Sequence, residues 1–285
     1  MTRHDAPERG LGPGPLVISL QSQVAFGAVG HGASLYAMQA LGARVACVPT
    51  VLLSNHPRYP TLRGGALDPA LVADLLRGIE ERGLVEAANV VLTGYLGSAA
   101  NGAVVAGFLA RARARNPRLI CLCDPVIGDD GPGVFVEKEL IAIFRDEIMP
   151  LADVATPNLF ELELLAGTPA RDVEGLGAAA RRLARLGPKR LAVTSARLDD
   201  TPAGEIETAL YDDDVLSRLK TPRLPIRPNG AGDLFAGLLA ARLAAGEAFL
   251  AAAEAAVKGV FAVLARTLRE NSYELVVRAE DVAGA

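Results

Sequence analysis

Pro228-Asn229-Gly230-Ala231-Gly232-Asp233, followed at once by Leu234-Phe235-Ala236-Gly237-Leu238-Leu239, is a glycine-rich turn that opens directly into a helical run. Glycine lets a backbone turn tightly and approach a ligand closely. The helix behind it presents unpaired N–H groups and the positive end of its dipole to the turn. Such an arrangement binds anions, phosphate above all. Asp233 is the oddity. A carboxylate facing a phosphate repels it, unless its task is to take a proton from a hydroxyl attacking that phosphate. The structural alternative is that Asp233 caps the helix, bonding N–H groups two or three residues on.

Upstream of this turn, apolar β-rich runs alternate with helical patterns. Strands are expected at Leu16–Leu20, Val45–Leu52, Val90–Leu92, Leu119–Cys123, Val154–Ala155 and Leu191–Val193. Apolar spacing predicts helices over Ala33–Leu41, Pro69–Arg82, Ala99–Asn116, Glu137–Met149, Leu159–Ala166 and Val173–Leu186. Glu207–Tyr211 and Val215–Lys220, around Asp212-Asp213-Asp214, read as a late antiparallel pair, and helices dominate from Asp233 to Leu268. Continuous apolar strands alternating with helices indicate a three-layer α/β/α fold with a central, mostly parallel sheet. Ligands of such sheets sit at the carboxyl ends of the strands. That rule singles out Ser22, Asp124, Asn158 and Thr194. The loop Ser54–Leu67, with two prolines and two glycines, reads as a flap.

The 285 residues suffice to bury about three quarters of the unfolded surface. No internal repeat or flexible linker divides them, so 16–285 is expected to be a single domain behind a flexible N-terminal extension, 1–15, that is polar and rich in Gly and Pro. A net charge of -4 and few aromatics argue against nucleic acid, since neither phosphate-neutralising stripes nor stacking platforms are present. Arg242, Glu247, Glu254 and Lys258 interrupt the apolar stretch Leu234–Leu264 too often for a membrane span. Cys47, Cys121 and Cys123 make no disulfide framework, which fits a reducing cytoplasm.

The turn and the helix after it resemble the signature of the ribokinase-like kinases, a carbohydrate-kinase superfamily. Further segments resemble the pyridoxal kinases within it. They are Leu20-Gln21-Ser22-Gln23-Val24 with Gly27 and Gly30, Thr50–His56, Leu92–Ser98, Cys123–Asp129 and Thr156–Glu161. With the glycine turn, six segments run in order from Ser22 to Asp233, roughly three quarters of the chain. The resemblance implies ATP-dependent phosphorylation of the 5'-hydroxyl of pyridoxal, pyridoxine or pyridoxamine. Asp233 would be the general base, and the N–H groups of Gly230, Ala231 and Gly232 the anion hole. Ser22, Tyr95, Ser54, His56, Pro57 and Arg58 would hold the vitamin. On the nucleotide side it implies Asp124, Asp129, Thr156, Asn158, Glu161, Thr194, Ser195 and the run Thr221, Pro222, Arg223, Leu224. Asp124 and Glu161 would serve Mg²⁺, partly through water. A homodimer is also implied, and a need for a monovalent cation such as K⁺ stays open.

Ordinary readings stand beside these roles. Tyr95 could be a core aromatic with its hydroxyl bonded locally. Asp129-Asp130-Gly131 is good turn chemistry, and Asn158 with Glu161 could cap a helix. The pattern also departs from the pyridoxal kinases around the vitamin. Pro57 stands where Thr is usual, removing a hydroxyl and an N–H. Phe135 replaces a Tyr, His31 an Asn and Gln23 a His. A kinase for hydroxymethylpyrimidine or another small alcohol, and a non-catalytic pyridoxal phosphate-binding protein, are the alternatives.

Overall fold

The computed structural model describes residues 12–284. The first eleven residues of the expected N-terminal extension lie outside the described residues; Gly14 and Pro15 are tied to the sheet by carbonyls that accept from Arg44. Eleven strands occur among the described residues: β1 (Leu16–Val24), β2 (Arg44–Leu53), β3 (Gly64–Ala66), β4 (Val90–Thr93), β5 (Ile120–Cys123), β6 (Gly128–Asp129), β7 (Gly133–Val134), β8 (Val154–Ala155), β9 (Arg190–Ala196), β10 (Glu205–Asp212) and β11 (Val215–Pro222). Nine form one sheet in the order β11-β10-β9-β8-β5-β4-β1-β2-β3, while β6 and β7 make a small separate hairpin. From β2 through β9 all pairings are parallel; β3 at one edge and β10 and β11 at the other are antiparallel.

The helices are α1 (His31–Ala40), α2 (Pro69–Glu81), α3 (Leu84–Ala87), α4 (Ala99–Arg115), α5 (Lys138–Ile143), α6 (Leu159–Ala166), α7 (Val173–Ala184), α8 (Ala231–Ala244), α9 (Phe249–Arg269) and α10 (Ala279–Ala283). Side chains alternate across a strand, and that alternation feeds two cores. Leu16, Ile18 and Leu20 pack with α2 to α7, whereas Val17 faces α1, α8 and α9. Cys121 and Cys123 share the first core and Leu122 lies in the second, so both cysteines are buried on one face as small apolar side chains. Each fully buried Leu or Val contributes about 1.5–3 kcal/mol. The layers are helix, sheet, helix, as expected.

Helix α8 is buried nearly all round, from Leu234 to Ala241. It packs so closely on α1 that a Cβ at Gly237 would lie 2.7 Å from that of Ser34. No helix of the described residues is long and apolar enough to cross a membrane. One expected helix is broken: Glu137–Met149 forms α5, then a π-turn over Phe144–Ile148 and a 3₁₀ turn that Pro150 shapes. The Asp212-Asp213-Asp214 turn takes positive φ at Asp213 and Asp214, the conformation a two-residue hairpin needs.

The chain runs from β1 to β2 on one side and later returns to place β4 on the other side of β1. Strand order reverses at that point, and open α/β sheets bind their ligands in the crevice outside the carboxyl ends of the strands there.

Candidate active site

The glycine turn lies at this end of the sheet, packed on Ala28 a few residues past β1. Gly230 is the N-cap of α8, at φ 85° and ψ 1°. A Cβ there would lie 1.7 Å from the Ala28 carbonyl oxygen, in a region of φ that favours glycine. Asp233 is therefore the third helical residue, and the capping alternative gives way. The first helical bond runs from the Leu234 N–H to the Gly230 C=O at 2.8 Å. Ahead of it, the N–H groups of Ala231 and Gly232 have no helical acceptor. A Cβ on Gly232 would meet nothing within 4 Å, so that part of the turn is open. The Gly30 N–H faces the Asp233 carboxylate and draws its pKa down, but burial outweighs it and pushes the group up to about 6.

Two further acids stand beside it. Asp124, just past β5, is buried and accepts from the Thr156 hydroxyl at 2.9 Å. Burial, then the charge of Asp233, push it up to about 8 against the pull of that hydroxyl. Glu161, in the first turn of α6, is buried too, and burial and the Asp124 charge hold it well above the usual carboxylate range. Its oxygens accept from the N–H groups of Ile127 (2.9 Å), Gly128 (3.3 Å) and Asn158 (2.9 Å). Asn158 returns a bond to the Glu161 N–H at 2.9 Å and closes a capping box, and its amide donates to the Gly128 carbonyl. Thr194 bridges to Asn158, with its N–H on the Pro157 carbonyl, so these nucleotide-side candidates share one corner.

No group of three or more His, Cys, Asp or Glu side chains among the described residues is arranged to hold a metal ion. The donors still suit a hard cation that keeps most of its water and leans on substrate phosphates. Asp124 is a buried carboxylate tied by a single hydroxyl, in a corner crowded with negative charge. Glu161, with both oxygens on backbone N–H groups, suits contact through water.

On the other side of the crevice, Ser22 lies inside β1 and not after it, because the strand continues to Val24 past a register shift between Gln21 and Ser22. Ser22 packs against the Gly30 backbone, where a Cβ would lie 2.5 Å from its Oγ. Tyr95 is half-buried, with its ring 6.4 Å from that of Phe135. Its hydroxyl has no hydrogen bond among the described residues, unlike a locally bonded core tyrosine. Ser54 donates to the Asn55 side chain and accepts from the Arg63 N–H. Pro57 and Arg58 are exposed. Arg58 donates to the Arg227 carbonyl at 2.5 Å, and Arg227 reaches Asp129 at 3.7 Å and the Asp130 carbonyl at 3.3 Å. The expected flap, the glycine turn and the β6–β7 hairpin are thereby linked. His31 is buried at the start of α1 on the Ser19 carbonyl and hydroxyl, and burial lowers its pKa to about 4.

Thr194 and Ser195 sit within β9, two residues and one residue short of its end, with Ser195 at φ 55°. Other candidates lie apart. Thr221 and Pro222 end the edge strand β11, two strands out from β9, with Arg223 and Leu224 beyond. Reading the sequence also missed Arg227, Tyr59, the Asn229 side chain and Glu274, all of which act across long sequence separations.

Residues 25–277 match the model of the phosphomethylpyrimidine kinase family. The pyridoxal kinase PdxY of Rubrobacter xylanophilus is 41% identical over 93% of this chain and 91% of its own. That of Granulibacter bethesdensis is 40% identical over 91% and 92%. Among solved structures, pyridoxal kinase from Leishmania donovani in complex with ADP and pyridoxamine superposes with a TM-score of 0.85 at 28% identity, covering 93% of this chain and 94% of that one. With a family match across most of the chain and relatives near 40% identity, this protein belongs to the phosphomethylpyrimidine kinase family and, within it, to the pyridoxal kinases.

Proposed function

We infer that this chain transfers the terminal phosphoryl group of ATP to the 5'-hydroxyl of pyridoxal, pyridoxine or pyridoxamine. The observation that carries the assignment to this site is Asp233. Its carboxylate lies in the first turn of a helix whose leading N–H groups have no partner among the described residues, and it is not spent on capping. With its pKa pushed up to about 6 it is a stronger base than an ordinary aspartate, yet mostly ionised at neutral pH.

Asp233 takes the proton as the hydroxyl oxygen bonds to the terminal phosphorus and the bond to ADP breaks. The Ala231 and Gly232 N–H groups, with that of Gly230, receive the charge on the migrating phosphoryl group. Ser22, Tyr95 and the segment Ser54 to Arg58 orient the vitamin. Asp129, Thr156, Asn158, Glu161, Thr194 and Ser195 face the nucleotide phosphates, and Thr221 to Leu224 the adenine. Mg²⁺, which suits Asp124 directly and Glu161 through water, neutralises phosphate charge when bound. The same reading takes 16–285 as one catalytic unit, active as a cytoplasmic homodimer, with K⁺ as a further cation to test.

Purified protein with Mg-ATP and pyridoxal is expected to form pyridoxal 5'-phosphate, and its absence would overturn the reading. The name of the matched family and Pro57 at the vitamin side favour hydroxymethylpyrimidine as a second substrate. Competition between the two alcohols decides, since the larger kcat/KM identifies the substrate.

A further inference from the structure

Glu274 follows α9 in the stretch Asn271-Ser272-Tyr273-Glu274 and is 17% exposed at its side chain. One carboxylate oxygen accepts from His56 Nε2 at 3.0 Å and from the Tyr59 hydroxyl at 2.7 Å. The other accepts from the Ala28 N–H at 2.8 Å. Gly27 lies so close that a Cβ there would meet both oxygens at 3.1 Å. The rings of His56, Tyr59 and Tyr273 pack around the group, with centroids 4.8 to 5.7 Å apart.

Both routes outward end on the glycine turn. His56 is buried, and its Nδ1 receives the Asn229 amide at 2.8 Å. An imidazole can accept at Nδ1 only while its proton sits on Nε2, and an acceptor at Nε2 is what keeps it there. Glu274 supplies that acceptor. Along the second route it holds the Ala28 N–H, while the Ala28 carbonyl presses on Gly230, the cap of α8. Asn229 and Gly230 immediately precede the open N–H groups and Asp233.

We propose that Glu274 is a positioning residue for phosphoryl transfer: through His56 and Ala28 it sets the placement of Asn229 and Gly230, and so the aim of Asp233 and the anion-binding N–H groups. This rests on the assignment of Asp233 as the base. It also makes His56 part of the scaffold of the turn, because both its ring nitrogens are occupied by protein.

Glu274→Gln keeps the size and removes one acceptor. Its amide NH₂ must face either the Ala28 N–H or the His56 and Tyr59 donors, so one route opens. A misaimed base costs rate more than binding. The expected result is a fall of about tenfold in kcat with pyridoxal, with the KM for ATP changed less than about twofold. Asn229→Ala, which leaves the carboxylate and its bonds intact, is expected to lose a similar factor. In an Asp233→Asn background Glu274→Gln is expected to cost clearly less than tenfold, because the part acting through Asp233 is already lost and only the placement of the N–H groups remains. Unchanged kcat in Glu274→Gln, or its full tenfold loss repeated on Asp233→Asn, would overturn the proposal. If Glu274→Gln does not fold, Asn229→Ala decides alone, and wild-type kcat in that variant overturns it. An inactive wild-type protein would instead remove the functional assignment itself.

Discussion

Two regions of the sheet bury carboxylates, and only one of them supplies a cation. On β10, Glu207 is fully buried and gripped by Arg218, which also forks onto Asp200 at 2.7 and 2.8 Å, with Lys220 at 4.0 Å. In the crevice, Asp124, Glu161 and Asp233 crowd together with only hydroxyl and backbone donors. A buried acid with a bidentate arginine is complete as it stands. Buried acids without a cation raise one another's pKa and destabilise the ligand-free fold. Such an arrangement is what a functional site shows, and it fits the proposal that a cation arrives with the nucleotide.

Removing the charge from the two regions should therefore act on different measurements. Asp233→Asn is expected to lower kcat by at least about a hundredfold, the scale of general-base catalysis, while the thermal midpoint stays or rises. A variant that lost stability with unchanged kcat would put Asp233 in the structural class of Glu207. Arg218→Ala leaves the buried Glu207 with only Lys220, 4.0 Å away, at a cost of roughly 3 kcal/mol in unfolding free energy. Its kcat should stay within about threefold of wild type. Denaturant unfolding and steady-state kinetics on the same preparations separate the two outcomes.

The pH dependence sharpens the contrast. Asp124 is pushed up to about 8, so between about pH 4 and 8 the native state holds a proton that the unfolded chain has released. Stability of the ligand-free protein then falls as pH rises through that window, by on the order of 2 kcal/mol between pH 5 and 7. Glu161 and Asp233, also raised, act in the same direction. Asp124→Asn is expected to flatten the slope and be the more stable protein at pH 8. A slope unchanged by Asp124→Asn would mean that the charge in the crevice is already compensated.

How much of this was legible in the sequence depends on the range of each signal. The core strands are short apolar runs covered on both faces, so composition alone revealed them, and the glycine turn carries its meaning within six residues. Gly64–Ala66 was missed as a strand because three exposed small residues show no alternation, and the β6–β7 hairpin because two-residue strands have no period. Asp233 invited a cap assignment because the sequence does not show that Ala28 excludes any side chain at Gly230. Glu274 was silent for a similar reason. Its partners lie 215 to 246 residues away, and nothing around Asn271-Ser272-Tyr273 hints at them.

The smallest effect tests whether ordinary helix chemistry takes on a second task inside the crevice. Asn158 and Asp172 are both N-caps whose side chains accept from an N–H three residues on. Replacing either by Ala should cost about 1 kcal/mol of stability, the usual value of such a cap. Asp172 starts α7 on the exposed surface, and its loss should leave kinetics unchanged. Asn158 also anchors the Gly128 carbonyl and shares the box that holds Glu161. Its loss leaves the three backbone bonds to the Glu161 carboxylate but releases the Gly128 carbonyl and the Glu161 N–H, loosening the corner beside Asp124, so the KM for Mg-ATP should rise several-fold at a similar cost in stability. Equal kinetics in the two variants would reduce Asn158 to a cap like any other and move the nucleotide phosphates away from α6.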